Sequence, residues 1–145
     1  MSDLPSLEAL LRDSGLAEKA EPIDDKMVRL QWGSAFVIVG VSGSAIVAIA
    51  PLFQHLPPGR EQEFFKKLLE HNAYMGGMAS FALQPDGWVV LHAGRALKGL
   101  DAHEFAVLVS AVGRFADQFD DQLIAEFFAP RSPVPVEDES EAATG

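Results

Sequence analysis

The most prominent pattern in the chain is an uncharged stretch from Leu30 to Gly59, in a sequence with 11 basic and 21 acidic side chains. Within it, residues 36–41 and 45–50 are rich in β-branched residues and are apolar at both alternating positions. A strand with one face in water alternates apolar and polar residues, so this pattern predicts two strands that need cover on both faces. The turn at Ser42-Gly43-Ser44 joins them into a hairpin. What covers the second face is the functional question that the sequence raises.

A more ordinary strand precedes the hairpin at residues 26–32. Val28, Leu30 and Trp32 share one face there, and Arg29 and Gln31 share the other, which is the alternation of a half-exposed strand. The segment before it, residues 17–25, is acidic and contains a proline, so we predict a loop.

A second hairpin is predicted from residues 78–83 and 88–91. The connection Gln84-Pro85-Asp86-Gly87 favours a tight turn, because proline pre-sets φ and glycine accepts a positive φ. The strands on either side are apolar, and Trp88 begins the second of them.

Three helices complete the pattern. Leucines at helical spacing before Gly15 predict a short first helix, and the stripe that begins with Phe64 and Phe65 predicts a second. The third helix has the clearest start: Asp101 is a good N-cap residue, Glu104 follows three residues later, and Leu100 and Phe105 occupy the positions of a hydrophobic staple. Pro130 is expected to end it.

The predicted order is therefore α-β-β-β-α-β-β-α. We expect a single α+β domain over residues 1–129, with a five-stranded antiparallel sheet packed by helices. Residues 130–145 form a proline-rich and acidic tail that we expect to be disordered.

The formal net charge of −10 narrows the classes of partner. An acidic chain is repelled by phosphate backbones and by anionic lipid, so direct binding to nucleic acid or to a membrane surface is disfavoured. Basic proteins are favoured, including proteins that themselves bind nucleic acid.

A membrane span over residues 34–53 is the rival interpretation of the uncharged stretch. The Ser42-Gly43-Ser44 turn, Pro51 and the lack of a flanking basic cluster speak against it. The chain has no cysteine and no signal-peptide pattern at its start, so we expect a cytoplasmic location.

Candidate chemistry is sparse. The four histidines show no metal-binding spacing, there is no phosphate-binding glycine loop, and no nucleophile is paired with a base. Asp117, Asp120 and Asp121 cluster on the third helix, where a solvated helix face is the simpler interpretation. We therefore expect no enzyme, no cofactor and no metal. The alternative is a small-ligand or metal-dependent domain, with a pocket between sheet and last helix that uses His92 or these aspartates.

The later half of the chain resembles a known family. Leu68-Leu69 with Asn72, the strand Phe81-Ala82-Leu83, the strand from Trp88 to Leu91, and Gly99-Leu100-Asp101 before the long helix are similar to the type III secretion chaperone-like fold, and within it to the YbjN-like bacterial proteins. The order of elements agrees over residues 4–128. The resemblance implies a homodimer without catalytic residues that holds an extended client segment on apolar patches.

The leading hypothesis is thus a non-enzymatic protein-binding module, a chaperone-like or adaptor homodimer with an apolar sheet or helix surface and acidic surroundings. The second hypothesis is the ligand-binding or metal-dependent domain described above. The residues expected to contact a second subunit or a client are Val37, Val39, Val41, Phe81, Leu83, Trp88, Phe127 and Phe128.

Overall fold

The computed structural model describes residues 4–128, which form one sheet and its covering helices. The helices are α1 (Leu7–Ser14), α2 (Glu61–Met75) and α3 (Ala102–Leu123), with a short 3-10 turn at Ala17–Lys19 and a π-helical turn at Ile124–Phe128. The strands are β1 (Ala20–Asp24), β2 (Met27–Trp32), β3 (Ala35–Ser42), β4 (Ala45–Phe53), β5 (Ser80–Leu83) and β6 (Val89–Ala96). The predicted tail, residues 130–145, lies outside the described residues.

The six strands form one antiparallel sheet in the order β1-β2-β3-β4-β6-β5. The first four strands are consecutive neighbours joined by short turns, and β6 then pairs with β4 so that β5 becomes an edge. The β3–β4 turn places Gly43 at φ 61°, which a residue without Cβ adopts at least cost. The predicted hairpin of two apolar strands is present.

All three helices lie on one side of the sheet or at its edge. α3 packs across β3, β4 and β6, α1 packs on α3, and α2 packs beside β5. The core lies between α3 and the sheet, where the following side chains are fully buried: Leu30, Val37, Val39, Ile46, Ala48, Ala50, Leu91, Phe105, Leu108, Val109 and Val112.

The predicted start of α3 and the predicted end of α1 agree with the structure, whereas α3 ends at Leu123 and its predicted stop, Pro130, lies outside the described residues. The carboxylate of Asp101 accepts a hydrogen bond from the backbone N–H of Glu104 at 2.8 Å, which caps α3. Ser6 caps α1 in the same way through Ala9, at 3.0 Å, and Gly15 ends that helix in the left-handed conformation.

Several strand boundaries differ from the sequence prediction; β5 begins at Ser80 rather than at residue 78, and the larger differences concern β1 and β6. Residues 20–24, predicted as part of a loop, form β1, which is a strand in addition to the five that were predicted. Pro22 is tolerated there because β1 is an edge strand. The last strand begins after Trp88 and runs on to Ala96, five residues beyond the predicted end. The additional residues are mostly small, so they gave no apolar signal, and pairing with β4 holds them in the sheet.

The apolar stretch over residues 34–53 is the β3–β4 hairpin rather than a membrane helix. Across residues 4–128, none of the helices is both long enough and apolar enough to cross a membrane.

Candidate protein-interaction surfaces

The two faces of the sheet differ in their cover. Val37, Val39, Ile46 and Ala48 point toward α3 and are fully buried. The alternate residues on the same strands point the other way and are only partly buried, and they do not belong to the core cluster. We call this second surface the open face; its central apolar side chains are Phe36, Ile38, Val47, Ile49 and Pro51.

The strand register arranges the open face in rows. One row runs across five strands through His92, Ile49, Ile38, Arg29 and Glu21. The centre of this row is therefore apolar, and a basic or titratable side chain lies on each side of it. The guanidinium of Arg29 lies over the ring of Phe36, 4.1 Å from its centroid, which is the geometry of a cation–π contact.

Close packing on the open face is local. Val90 is only 1 % exposed although it lies outside the core cluster, between its strand neighbours Pro51 and Ala82. The larger side chains of β3 and β4 on this face have no described helix above them. The open face is thus an apolar surface whose central side chains are only partly buried.

The structure places three of the expected contact residues on the core side. Val37 and Val39 are fully buried under α3, and the partly buried Val41 packs against the same core. A client could reach Val37 and Val39 only if the helix layer moved. Their neighbours Phe36 and Ile38 are the ones that face outward. The sequence could not distinguish the two sets, because both alternating positions are apolar.

Phe81, Leu83 and Trp88 lie at the opposite edge of the sheet from β1. Phe81 is buried, Trp88 is half-buried, and Leu83 is 50 % exposed. Leu69 of α2, which is 67 % exposed, lies beside Leu83. Between α2 and β5 runs a shallow apolar groove of about 210 Å³, which we call the edge groove; it is lined by Phe65, Leu68, Leu69, Asn72, Phe81, Ala82 and Leu83.

Phe127 and Phe128 fold back onto their own chain. The ring of Phe128 stacks on Phe53 with centroids 4.6 Å apart, and Phe127 meets Phe64 edge-on at 5.1 Å. Arg60 stabilises this contact in two ways. Its guanidinium lies 4.5 Å from the centroid of Phe127, and it donates a hydrogen bond to the carbonyl oxygen of Glu126 at 2.6 Å. Both phenylalanines therefore serve the fold of this chain.

Two aspartates of the predicted cluster on α3 contact Ser34 in the β2–β3 turn, a contact that the sequence analysis missed. The hydroxyl of Ser34 lies 2.9 Å from Asp117 Oδ1 and 2.8 Å from Asp120 Oδ2, and the backbone N–H of Ser34 also donates to Asp117 at 2.8 Å. Asp120 is 8 % exposed, so burial raises its pKa, whereas the hydrogen bonds from Ser34 lower the pKa of Asp117. The prediction that these aspartates lie on a solvated helix face is therefore wrong for Asp120. Its carboxylate contacts Ser34, which lies 86 positions earlier in the chain.

The structure gives little support to the alternative of a small-ligand or metal-dependent domain. The space between the sheet and α3 is filled by fully buried side chains. Within residues 4–128, no three His, Cys, Asp or Glu side chains are grouped so that they could hold a metal ion. His71 stacks on Phe119 with centroids 4.1 Å apart, and burial together with the charge of Lys67 lowers its pKa. His92 belongs to the open face instead.

The sequence matches the model of a known protein family. The model of the Tir chaperone protein (CesT) family matches residues 6–118, most of the described chain. No curated protein matches the sequence significantly.

Solved structures share the fold at low sequence identity. A chain of the heterodimeric ExoU–SpcU complex from the type III secretion system of Pseudomonas aeruginosa has 17 % identity and a TM-score of 0.60, over 79 % of this chain and 95 % of that one. A chain of the HopA1–SchA chaperone–effector complex has 11 % identity and a TM-score of 0.58, over 79 % and 92 %. YbjN from E. coli, described as a putative transcription regulator, has 15 % identity and a TM-score of 0.56, over 81 % and 93 %. At these identities the likeness establishes the fold.

Proposed function

Since the chain belongs to the Tir chaperone protein (CesT) family, we propose that it acts as a protein-binding chaperone or adaptor whose open face holds an extended segment of a client protein. Similar structures include a chaperone–effector complex, which supports a client protein as the partner. The proposal includes no catalytic step and no cofactor.

The observation that carries the proposal is the uncovered apolar centre of the sheet. Phe36, Ile38, Val47 and Ile49 project from two adjacent strands away from α3, and no described helix covers them. Full burial of one Val, Ile or Phe side chain is worth about 1.5–3 kcal/mol, so a client that completes their burial gains affinity from each. The rows of side chains suit an extended segment, whose alternate side chains can lie between the rows.

We further propose that the chain is a homodimer joined through the edge groove. Leu69 and Leu83 expose large apolar surfaces on adjacent elements, on the side of the sheet away from β1. A two-fold interface uses the same patch on both subunits, so one contact would bury both copies of each exposed leucine. This arrangement leaves the open face available to a client.

The charge supports a basic client. A net charge of −10 speeds the encounter with basic proteins and disfavours nucleic acid and anionic membranes. A cytoplasmic location belongs to the same proposal and is checked by fractionation of the source cells.

The test is affinity capture by the full-length chain from an extract of its source, at low and moderate salt, with mass spectrometry of the bound proteins. The wild type is compared with Ile49→Asp, which places a charge at the centre of the open face, and with Gln118→Asp, which adds the same charge on the exposed surface of α3. We expect a specific partner to bind the wild type and Gln118→Asp, and to be lost from Ile49→Asp.

Circular dichroism and thermal unfolding establish that both variants are folded. A partner that binds a folded Ile49→Asp variant as well as the wild type contradicts the open face as the client site. Absence of any specific partner at both salt concentrations contradicts the chaperone proposal in that extract.

A further inference from the structure

The strand β6 is covered over only half its length on the side that faces β5. It runs from Val89 to Ala96, whereas β5 pairs with residues 89–92 alone. On its other side β6 pairs with β4 along its whole length. Residues 93–96 therefore present a free strand edge in line with β5, and we call this segment the β6 edge.

The hydrogen bonds at the two ends of β6 show which main-chain groups point to this edge. The carbonyl oxygen of Trp88 accepts a hydrogen bond on the β5 side at 2.8 Å, and the N–H of Leu97 donates one on the β4 side at 2.9 Å. Successive residues of a strand direct their main-chain groups to opposite sides. Gly94 and Ala96 therefore direct their N–H and carbonyl groups away from β4, to the β6 edge.

One of these groups is occupied by a neighbouring side chain. Nη1 of Arg95 donates a hydrogen bond to the carbonyl oxygen of Gly94 at 2.9 Å. Within residues 4–128, no other strand or turn pairs with the main chain of Gly94 or Ala96 on this side. Such groups are a template for main-chain pairing with another extended chain.

A cavity of about 380 Å³ lies beside the β6 edge. Its walls come from β6, from the residues that lead into β5, and from Val47 on the open face. Gly94 is part of the wall and brings no side chain into the cavity. A glycine within a strand commonly marks a place where another chain approaches closely, and here it leaves room for a side chain of an added segment.

The charged side chains near the β6 edge favour an acidic group in that segment. Arg95 and Lys98 are both basic, and Asp86, in the turn at the other end of β6, is the only acidic residue between positions 71 and 100. The next acid along the chain, Asp101, is engaged as the cap of α3. Arg95 forms no ion pair with any part of the chain that the structure describes. A carboxylate would replace its bond to a neutral carbonyl by a stronger, charge-assisted pair.

We propose that the β6 edge binds an extended peptide segment that carries an acidic residue. The segment continues β5 along β6, its main chain pairs with Gly94 and Ala96, and its carboxylate draws Arg95 away from the Gly94 carbonyl. One acidic residue is compatible with a partner that is basic overall. The inference goes beyond the proposed function, because main-chain groups of β6 carry it rather than the apolar side chains of the open face.

The experiment is an NMR titration of the full-length protein with a synthetic peptide, acetyl-Thr-Val-Thr-Glu-Val-Thr-Val-amide. We expect shifted amide resonances and slower hydrogen exchange at Gly94 and Ala96. A matched peptide with glutamine in place of glutamate should bind several-fold more weakly. N-methylation of one alternate set of residues in the peptide should abolish binding, and N-methylation of the other set should not, because only one set faces β6.

Two pairs of variants test the protein side of the contact. Ala96→Pro removes an N–H that makes no bond to β4, so it should stay folded by circular dichroism and bind the peptide more weakly than Ala96→Ser, which keeps the N–H. Arg95→Gln should remove the preference for glutamate over glutamine. Arg29→Gln, on the open face, should retain that preference.

Three results would overturn the proposal. The first is a peptide that does not bind, or whose effects lie away from Gly94 and Ala96, for example at the β1 edge. The second is equal binding of the glutamate and glutamine peptides. The third is exchange protection of Gly94 and Ala96 that rises with protein concentration in the absence of peptide, because a second copy would then cover the edge. The test uses neither a client nor Ile49→Asp, so this proposal and the client site can fail separately.

Discussion

The side-chain amide of Asn72 pairs with the main chain of Phe81 as a neighbouring strand would. Its Oδ1 accepts a hydrogen bond from the Phe81 N–H at 2.7 Å, and its Nδ2 lies 3.5 Å from the Phe81 carbonyl oxygen. Because β5 is an edge strand, this side chain occupies backbone groups that another chain could otherwise use. α2 thus protects the edge of the sheet with one residue.

Replacing Asn72 tests that protection. Asn72→Ala leaves a partly buried N–H without its acceptor, so we expect a loss of about 1–3 kcal/mol in the free energy of unfolding and more self-association at high concentration. Asn72→Asp keeps the acceptor of the short bond and should lose less. Chemical denaturation and light scattering measure the two effects; equal destabilisation by both variants would contradict the role of the short bond.

Gly113 makes room for the indole of Trp32. A Cβ atom at position 113 would overlap the Trp32 ring, which is packed where the β2–β3 turn meets α3. We expect Gly113→Ala to destabilise the fold by about 1–3 kcal/mol through overpacking. Trp32→Phe should recover part of this loss in the double variant, measured as a coupling energy from four denaturation curves. Additive effects would mean that the two residues do not compete for space.

The contact between Ser34 and Asp120 predicts that the stability of the fold depends on pH. A serine hydroxyl has one proton, and it lies within hydrogen-bonding distance of two carboxylates, so a proton on Asp120 completes the network. Burial raises the pKa of Asp120 in the folded state, so the folded protein binds this proton more tightly than the unfolded chain does. The stability that this proton contributes is fully present below the pKa of Asp120 in the unfolded chain. It is lost as the pH rises through the pKa of Asp120 in the folded protein.

Asp120→Asn isolates this effect, because its amide can donate to Ser34 at every pH. We expect the variant to exceed the wild type in stability above the folded pKa of Asp120, and the difference to shrink as the pH falls. Unfolding curves measured across the acidic range give the comparison. Asp25→Asn, at an exposed position in the β1–β2 turn, is the control and should show no such trend. A difference that does not change with pH would contradict the shared proton.

Leu69 tests the edge groove as a dimer interface. Leu69→Glu removes an apolar contact and places like charges near the two-fold axis, so the dimer dissociation constant should rise by about tenfold or more. The side chain is 67 % exposed, so the monomer should remain folded. Sedimentation equilibrium measures the change, with Gln62→Glu, an exposed position on the same helix, as the control. A variant that dimerises as tightly as the control contradicts this interface.

The features that local chemistry determines could be predicted from the sequence. The Asp101 cap, Gly15 at the end of α1 and the β3–β4 hairpin follow from short patterns, and each is present. The strand β1 was missed because its acidic composition and Pro22 resemble a loop, while its pairing with β2 is a tertiary effect.

The site was harder to predict than the fold. Alternation assigns a face only where one set of positions is polar, and β3 is apolar in both sets, so Val37 and Ile38 could not be told apart. The contact of Ser34 with Asp120 depends on how the β2–β3 turn meets α3, which no short pattern records. Phe127 and Phe128 were predicted to contact a second subunit or a client, but Phe127 packs under Arg60 and Phe128 stacks on Phe53 of the same chain.

The strand order has a consequence for the timing of folding. β1 to β4 are neighbours in sequence and can form a meander as the chain leaves the ribosome, whereas β6 must wait until residue 96 is available. Until β6 pairs with β4, the row through Ile38 and Ile49 lacks His92. The apolar centre of the surface proposed for clients lies on β3 and β4, so a newly made chain can form that centre before β6 adds His92 beside it.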